Sequence, residues 1–263
     1  MLDIRDTDRI RIITLNRPEA LNAFNEALYD ATTEALMAAA DDPTVAVVVI
    51  TGTGNAFSAG TDVKEMALRN QGGDFQSGVH GFPGLVDQLA AFPKPLICAV
   101  NGMALGIGAT MLALSDLVFM STEARCRCPF TDLAVAPEAA SSYTFPTLLG
   151  RHDATWILMS SEWFSAQECK EMGLAWRVTS PDDLMEETLR HARVLSSKPI
   201  SSLMECKQAI IAPLQEQIAA ARERENAAFG RLLGQPANIE ALMALAERRE
   251  PDFAAIDAAA LQG

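Results

Sequence analysis

Apolar and polar positions change their period along this chain, and the change divides it in two. Residues 9–15 alternate well enough for a strand, and Asn16-Arg17-Pro18 breaks it, so the opening reads as a β-hairpin or paired strands. Residues 26–40 set Leu28, Ala31, Ala35 and Leu36 at helical spacing, with Asn22 or Asn25 as N-cap and Asp42-Pro43 as the stop. Residues 45–50 read VAVVVI, a continuous apolar run that suits a strand covered on both faces. Asp62 with Glu65 three residues on predicts a helix start of capping-box type. Residues 70–81, polar and Gly-rich, read as a mobile loop, and residues 85–92 as a helix. Further strands are expected at Leu96–Val100, 117–120 and 125–130.

The first half therefore repeats strand, Gly-containing turn and helix, an α/β pattern. From about Tyr143 the chain reads as helices with almost no strands. Ser165 and Glu168 make a capping box, Gly173 a C-terminal stop, and Ser180-Pro181 an N-cap followed by a first-turn proline. Residues 214–233 and 237–249 are amphipathic helices whose apolar faces need a partner, either the first half or another subunit. No internal sequence repeat and no low-complexity linker interrupts them.

Composition narrows the classes. The 263 residues are 49% hydrophobic and 21% charged, ordinary values for a globular protein. The net charge of -13 argues against a general nucleic-acid or anionic-membrane binder, though a local basic patch can still hold an anion. The five cysteines are odd in number and widely spaced, which reads as reduced thiols in a cytoplasmic protein. Cys126 and Cys128 share one face of a strand, but no histidine stands beside them, so no metal site is expected. The charged start does not read as a signal peptide, no run reaches the ~18 apolar residues of a membrane span, and ALQG does not read as a peroxisomal address, so neither secretion nor peroxisomal import is expected.

Two turns carry chemical interest: AFSAGTD, from Ala56 to Asp62, and NGMALGIGAT, from Asn101 to Thr110. Small residues where a strand meets a helix leave free backbone N–H groups, which are fixed donors for an anion or a developing oxyanion. The same glycines also suit ordinary tight turns, and LGIGAT lacks the third glycine of a dinucleotide fingerprint. There is no G-x-S-x-G elbow and no cysteine in an activated setting. Glu138, in LAVAPEAASSYTF, has small or apolar neighbours on both sides. It is either a base with a raised pKa or a solvated loop carboxylate after Pro137.

Taken together, LNRPEALNAFN, VVVITGTGNAFSAGTDVKEM, PKPLICAVNGMALGIGATMLALSDLVFMS and FSAQECKEMGLAWRV resemble the crotonase (enoyl-CoA hydratase/isomerase) superfamily over nearly the whole chain. The resemblance implies a crotonase-like (ClpP/crotonase) α/β spiral of β-β-α units. It implies a core domain at 1–195 and a C-terminal helical, oligomerisation region at 196–263, forming a homotrimer or a dimer of trimers. It implies an acyl-CoA substrate, whose thioester oxygen is held by the amides of Thr61 and Ile107. No cofactor is implied, since coenzyme A is part of the substrate. Implied substrate contacts are Ala20 and Leu21 near the adenine, and Ala56, Ser58, Ala59, Gly60, Asp62 and Gly106 along the adenine and thioester. Lys64 is set either on a CoA phosphate or on a solvated helix face. Met66 and the 70–81 loop are candidate walls for the acyl chain.

Hydratases of the superfamily use two glutamates, and those positions align here with Thr110 and Phe130, leaving Asp132 as the nearest acid to the second. The segment LAVAPEAASSYTFP instead looks like the peroxisomal-type Δ3,Δ2-enoyl-CoA isomerases, where a glutamate at the position of Glu138 does all the proton transfer. The resemblance thus favours an isomerase with Glu138 as its base. The alternatives are a hydratase, another crotonase-type reaction such as hydrolysis, or an acyl-CoA-binding protein without turnover.

Overall fold

The computed structural model describes residues 1–62, 65 and 75–260. Lys64, Met66 and the 70–74 part of the expected loop lie outside the described residues.

The main sheet has six strands. β1 (Leu2–Thr7) and β2 (Ile10–Leu15) form the expected antiparallel hairpin, turning through Asp8 and Arg9 at positive φ. β2 then pairs in parallel with β3 (Val47–Gly52), followed by β5 (Leu96–Val100), β7 (Leu117–Ser121) and β10 (Arg177–Thr179). Burial follows the two-residue pleat. Val48, Ile50, Cys98 and Val100 face a large core with helices α1 (Glu26–Asp41) and α2 (Gly81–Ala91). Val47, Val49, Ile97 and Ala99 face a second core that includes Leu184 and Ala192 of α7 (Leu184–Ser196). That double covering is why VAVVVI carries no polar alternation.

A second sheet runs β4 (Ala56–Ser58), β6 (Met103–Leu105), β8 (Arg125–Arg127) and β9 (Phe164–Ser165). Each of β4, β6 and β8 follows a main-sheet strand, and helices follow in turn: α3 (Ile107–Thr110) after β6 and α4 (Ser141–Leu149) after β8. The result is the expected spiral of β-β-α units. The strands of the second sheet are two or three residues long, so AFS and MAL read as parts of turns in the sequence. Likewise the strand expected at 125–130 stops at Arg127, and Phe130 lies in a turn.

Several helix ends differ from expectation. Asn25 is the N-cap of α1, accepting from Leu28 N–H, whereas Asn22 is buried and ties three segments together. Glu65 accepts from the Glu26 N–H at 2.7 Å and Asp62 N–H donates to Phe24 O; residues 63 and 64 of the helix start expected there lie outside the described residues. The capping box at Ser165 and Glu168 forms before α6 (Ala166–Met172), which ends at Gly173 in the left-handed region. Ser180-Pro181 does not start α7. Ser180 instead closes a side-chain turn on Asp183, and the helix begins at Leu184. After α5 (Arg151–Met159), the next large departure is α8, which runs Ile200–Leu232 rather than from 214. Pro213 sits inside it, exposed, and packing of both flanks overrides the break: Lys207 on one side, Ile218 and Ala221 on the other.

α8 packs Leu214, Ile218 and Ala221 with Ala90, Ala140 and Tyr143. Lys207 Nζ donates to Lys94 O and Asp116, Gln215 to Ala90 O, and Arg222 pairs with Asp87. The helical region thus lies along the first half of the chain. α9 (Pro236–Glu247) and α10 (Phe253–Ala260) complete it.

Candidate active site

The two singled-out turns meet. Gly60 has φ +83, and a Cβ there would stand 2.8 Å from the Leu105 carbonyl. Gly106 has φ +53, and a Cβ there would lie 3.8 Å from Gly60 Cα. Only glycine takes both conformations at no steric cost, so both turns can come this close. Two hydrogen bonds then orient Thr61: Phe24 N–H donates to Gly60 O at 2.7 Å, and Asp62 N–H to Phe24 O at 2.8 Å. In this parallel bridge Thr61 turns its own N–H away from Phe24. Ile107 is the first residue of α3 and its N-cap is a glycine without a side-chain acceptor. Its N–H is therefore one of the unpaired donors of a helix start. Among the described residues, neither amide donates a hydrogen bond within the protein.

Glu138 faces this pair of turns. Its Oε1 is 3.9 Å from the Cβ position of Gly106. Glu138 and Thr61 line both of two adjoining cavities, of about 510 and 120 Å³. The larger also carries Phe24, Tyr29, Asp62 and Phe82; the smaller carries Ala59, Gly60, Gly106 and Phe130. The other carboxylates on the larger cavity have structural partners. Glu26 accepts from Gly78 N–H, Glu65 from Glu26 N–H, and Asp62 pairs with Arg17 at 3.1 Å. Among the described residues, the Glu138 carboxyl accepts no hydrogen bond. Burial, and then the nearby Glu225 carboxylate, push its pKa up to about 7. A carboxyl with a pKa of about 7, lining both cavities and beside two free amides, is suited to give and take a proton.

Tyr29 closes the back of the site. It stacks on Phe24 at 4.9 Å, and its hydroxyl shares a 2.8 Å hydrogen bond with Thr61 Oγ1. Burial and the Glu138 charge hold that hydroxyl well above its ordinary pKa, so it stays protonated.

Of the remaining expected contacts, Ala56 and Ser58 are buried. Ser58 Oγ donates to Asn22 O and accepts from Gly60 N–H, so it shapes the turn from behind. Ala20 and Leu21 lie outside both cavities, at a short 3-10 turn; the Leu21 carbonyl accepts from Ala59 N–H. Thr110 is buried with no partner for its hydroxyl among the described residues, Phe130 is apolar, and Asp132 is exposed and paired with Arg127. No group of three or more potential metal ligands occurs among the described residues, and none of their helices is long and apolar enough to cross a membrane.

Residues 5–255 match the family model for enoyl-CoA hydratase/isomerase. The chain belongs to that family. Its members include the enoyl-CoA hydratase EchA8_6 of Mycobacterium marinum, whose crystal structure is 60% identical, covers 81% of this chain and 99% of its own, and superposes with a TM-score of 0.78. The 1,2-epoxyphenylacetyl-CoA isomerase of Escherichia coli K12 is 32% identical over 93% of this chain and 94% of its own. The enoyl-CoA delta isomerase 2 of Rattus norvegicus is 33% identical over 81% of this chain and 55% of its own length. The protein is thus an enzyme of the enoyl-CoA hydratase/isomerase family.

Sequence reasoning missed the C-terminal contribution to this family member's site. Asn226, Phe229 and Leu233 line the larger cavity, and Glu225 lies just behind it. The signal was present as spacing. Leu214, Ile218 and Ala221 make an apolar stripe on α8, and Glu225 continues the stripe one turn on.

Proposed function

We propose that the enzyme is a Δ3,Δ2-enoyl-CoA isomerase with Glu138 as its single acid–base residue. One observation carries the reading: among the described carboxylates on the larger cavity, Glu138 alone is unengaged by protein donors, and it stands against the two oxyanion turns. As the carboxylate, Glu138 takes a proton from C2 of a 3-enoyl thioester. The C–H electrons move into a dienolate, placing negative charge on the thioester oxygen. The Thr61 and Ile107 amides donate to that oxygen as the charge grows. The protonated Glu138 then delivers the proton to C4, the C3–C4 double bond shifts to C2–C3, and the thioester carbonyl re-forms. No water is consumed, and no second acid is required.

Hydration is the second reading, favoured by the name of the M. marinum relative. Against it stand Thr110 and Phe130, which occupy the two positions that the resemblance assigns to a hydratase's glutamates, while Asp132, the nearest acid to the second, is exposed and paired with Arg127. Purified protein given a 3-enoyl-CoA and, separately, a 2-enoyl-CoA tests the two. Isomerisation of the first without water gain supports the proposal; efficient hydration of the second overturns it. The homotrimer or dimer of trimers is part of the same proposal. It is supported by the exposed Ile239, Met243 and Leu245 on α9, and light scattering tests it.

A further inference from the structure

The structure assigns to Glu225 the role of positioning residue for the Glu138 base, acting as a clamp from the long C-terminal helix on the turn that carries Glu138. The assignment rests on Glu138 being the base. Glu225 is 4% exposed and occupies an apolar-stripe position on α8. A carboxylate there is costly unless both oxygens are used. Both are used: Oε2 accepts from Ala140 N–H and Oε1 from Ser142 N–H, each at 2.7 Å. Those are orphan donors at the start of α4, where a negative charge is also favoured by the helix dipole. Among the described residues, no cation pairs with Glu225.

The clamped turn needs holding. Ala139 and Ala140 are consecutive alanines at φ 57 and 59, a conformation that an L side chain resists and that persists only when the surroundings fix it. Within the turn, the Glu138 carbonyl accepts from the Ser141 N–H and hydroxyl at 3.0 and 2.6 Å. With the backbone that follows Glu138 held in this way, its side chain stands against Gly106, with Oε1 3.9 Å from the Gly106 Cβ position. Glu225 has a second effect through space, because its charge opposes ionisation of Glu138. The other titratable groups that interact with Glu138 are Tyr29 from α1 and Cys128 just after β8, both neutral, while Glu26, Asp62, Glu65 and His80 share the larger cavity.

Steady-state isomerase kinetics over pH on Glu225→Gln, Glu225→Asp and Glu138→Gln test the assignment. Glu225→Gln keeps the shape but presents an amide N–H₂ to a backbone N–H. It is expected to lower kcat about 10–100-fold with KM within about threefold, the scale of a base displaced by about 1 Å. The acid limb of its kcat/KM profile should move to the acid side of the wild-type limb near pH 7. A purely structural residue would reduce folded protein and leave that limb in place. Glu225→Asp keeps the charge and shortens the reach, so kcat should fall about tenfold or more while the limb stays near the wild-type position. If Glu225→Gln does not fold, the Glu225→Asp result decides. Wild-type kcat in either variant, with Glu138→Gln inactive, overturns the clamp and leaves the base standing. An active Glu138→Gln removes the base and the clamp with it.

Discussion

Replacing Glu138 by glutamine should stabilise the protein at alkaline pH while removing its activity. The carboxyl is raised from 4.5 to about 7 in the folded enzyme, chiefly because burial disfavours its charged form. A group whose folded pKa lies above its unfolded one lends its full stability below the unfolded pKa, and loses it as pH rises through the folded pKa. The wild-type enzyme should therefore lose stability between about pH 4.5 and pH 7, and level off above. At about 1.4 kcal/mol per pH unit, the loss amounts to about 3 kcal/mol, an upper figure for a side chain that opens onto a cavity. Glutamine fills the same space and has no such loss. Equilibrium urea unfolding of both proteins, at equal protomer concentration, would be run at pH 4.5 and pH 8.5. The stability difference should shift toward the variant by up to about 3 kcal/mol at the higher pH. At pH 8.5, where the wild-type base is ionised, kcat of the variant should be lower by a factor of about 100 or more. A stability difference that does not change with pH would refute a Glu138 carboxyl whose charged form is disfavoured in the fold, and with it the physical basis for calling it a base.

Three further outcomes follow from the same geometry. Gly60→Ala should cost about 2 kcal/mol or more in urea unfolding and most of kcat, because a Cβ at φ +83 meets the Leu105 carbonyl at 2.8 Å and pushes the two turns apart. Ile107→Pro removes one donor at a helix position that tolerates proline, so kcat should fall about 100–1,000-fold, while Ile107→Val stays within a few fold. Tyr29→Phe, which loses the 2.8 Å bond to Thr61 Oγ1, should lower stability by about 1 kcal/mol and leave the acid limb of the pH profile in place.

Much of this enzyme was readable from its residues, and what was not has identifiable causes. Doubly covered strands such as VAVVVI announce themselves because both pleat faces are apolar. In the second sheet β8 was read, as part of a longer strand at 125–130, but β4, β6 and β9 escaped because a two- or three-residue strand is too short to show a period. The helix starts expected at 214 and at Ser180-Pro181 were overridden, the first by packing along α8 and the second by a side-chain turn. The turns around Gly60 and Gly106 were legible as glycine positions, but their meeting is a product of the spiral that stacks β4 beside β6. Glu138 could be found by its apolar neighbours. Glu225 was hidden in RERENAAF, which reads as a charged, solvated face until its register on the α8 stripe is counted.

The most direct test of the single-base isomerase is one reaction, run in deuterated water. Purified enzyme is given a 3-enoyl-CoA, and the product is followed by mass and by the position of its label. The account predicts a 2-enoyl-CoA with no water gained, and some of the C2 protium carried to C4 by Glu138. Failure to isomerise, together with efficient gain of water by a 2-enoyl-CoA, would contradict it and turn attention to Asp132.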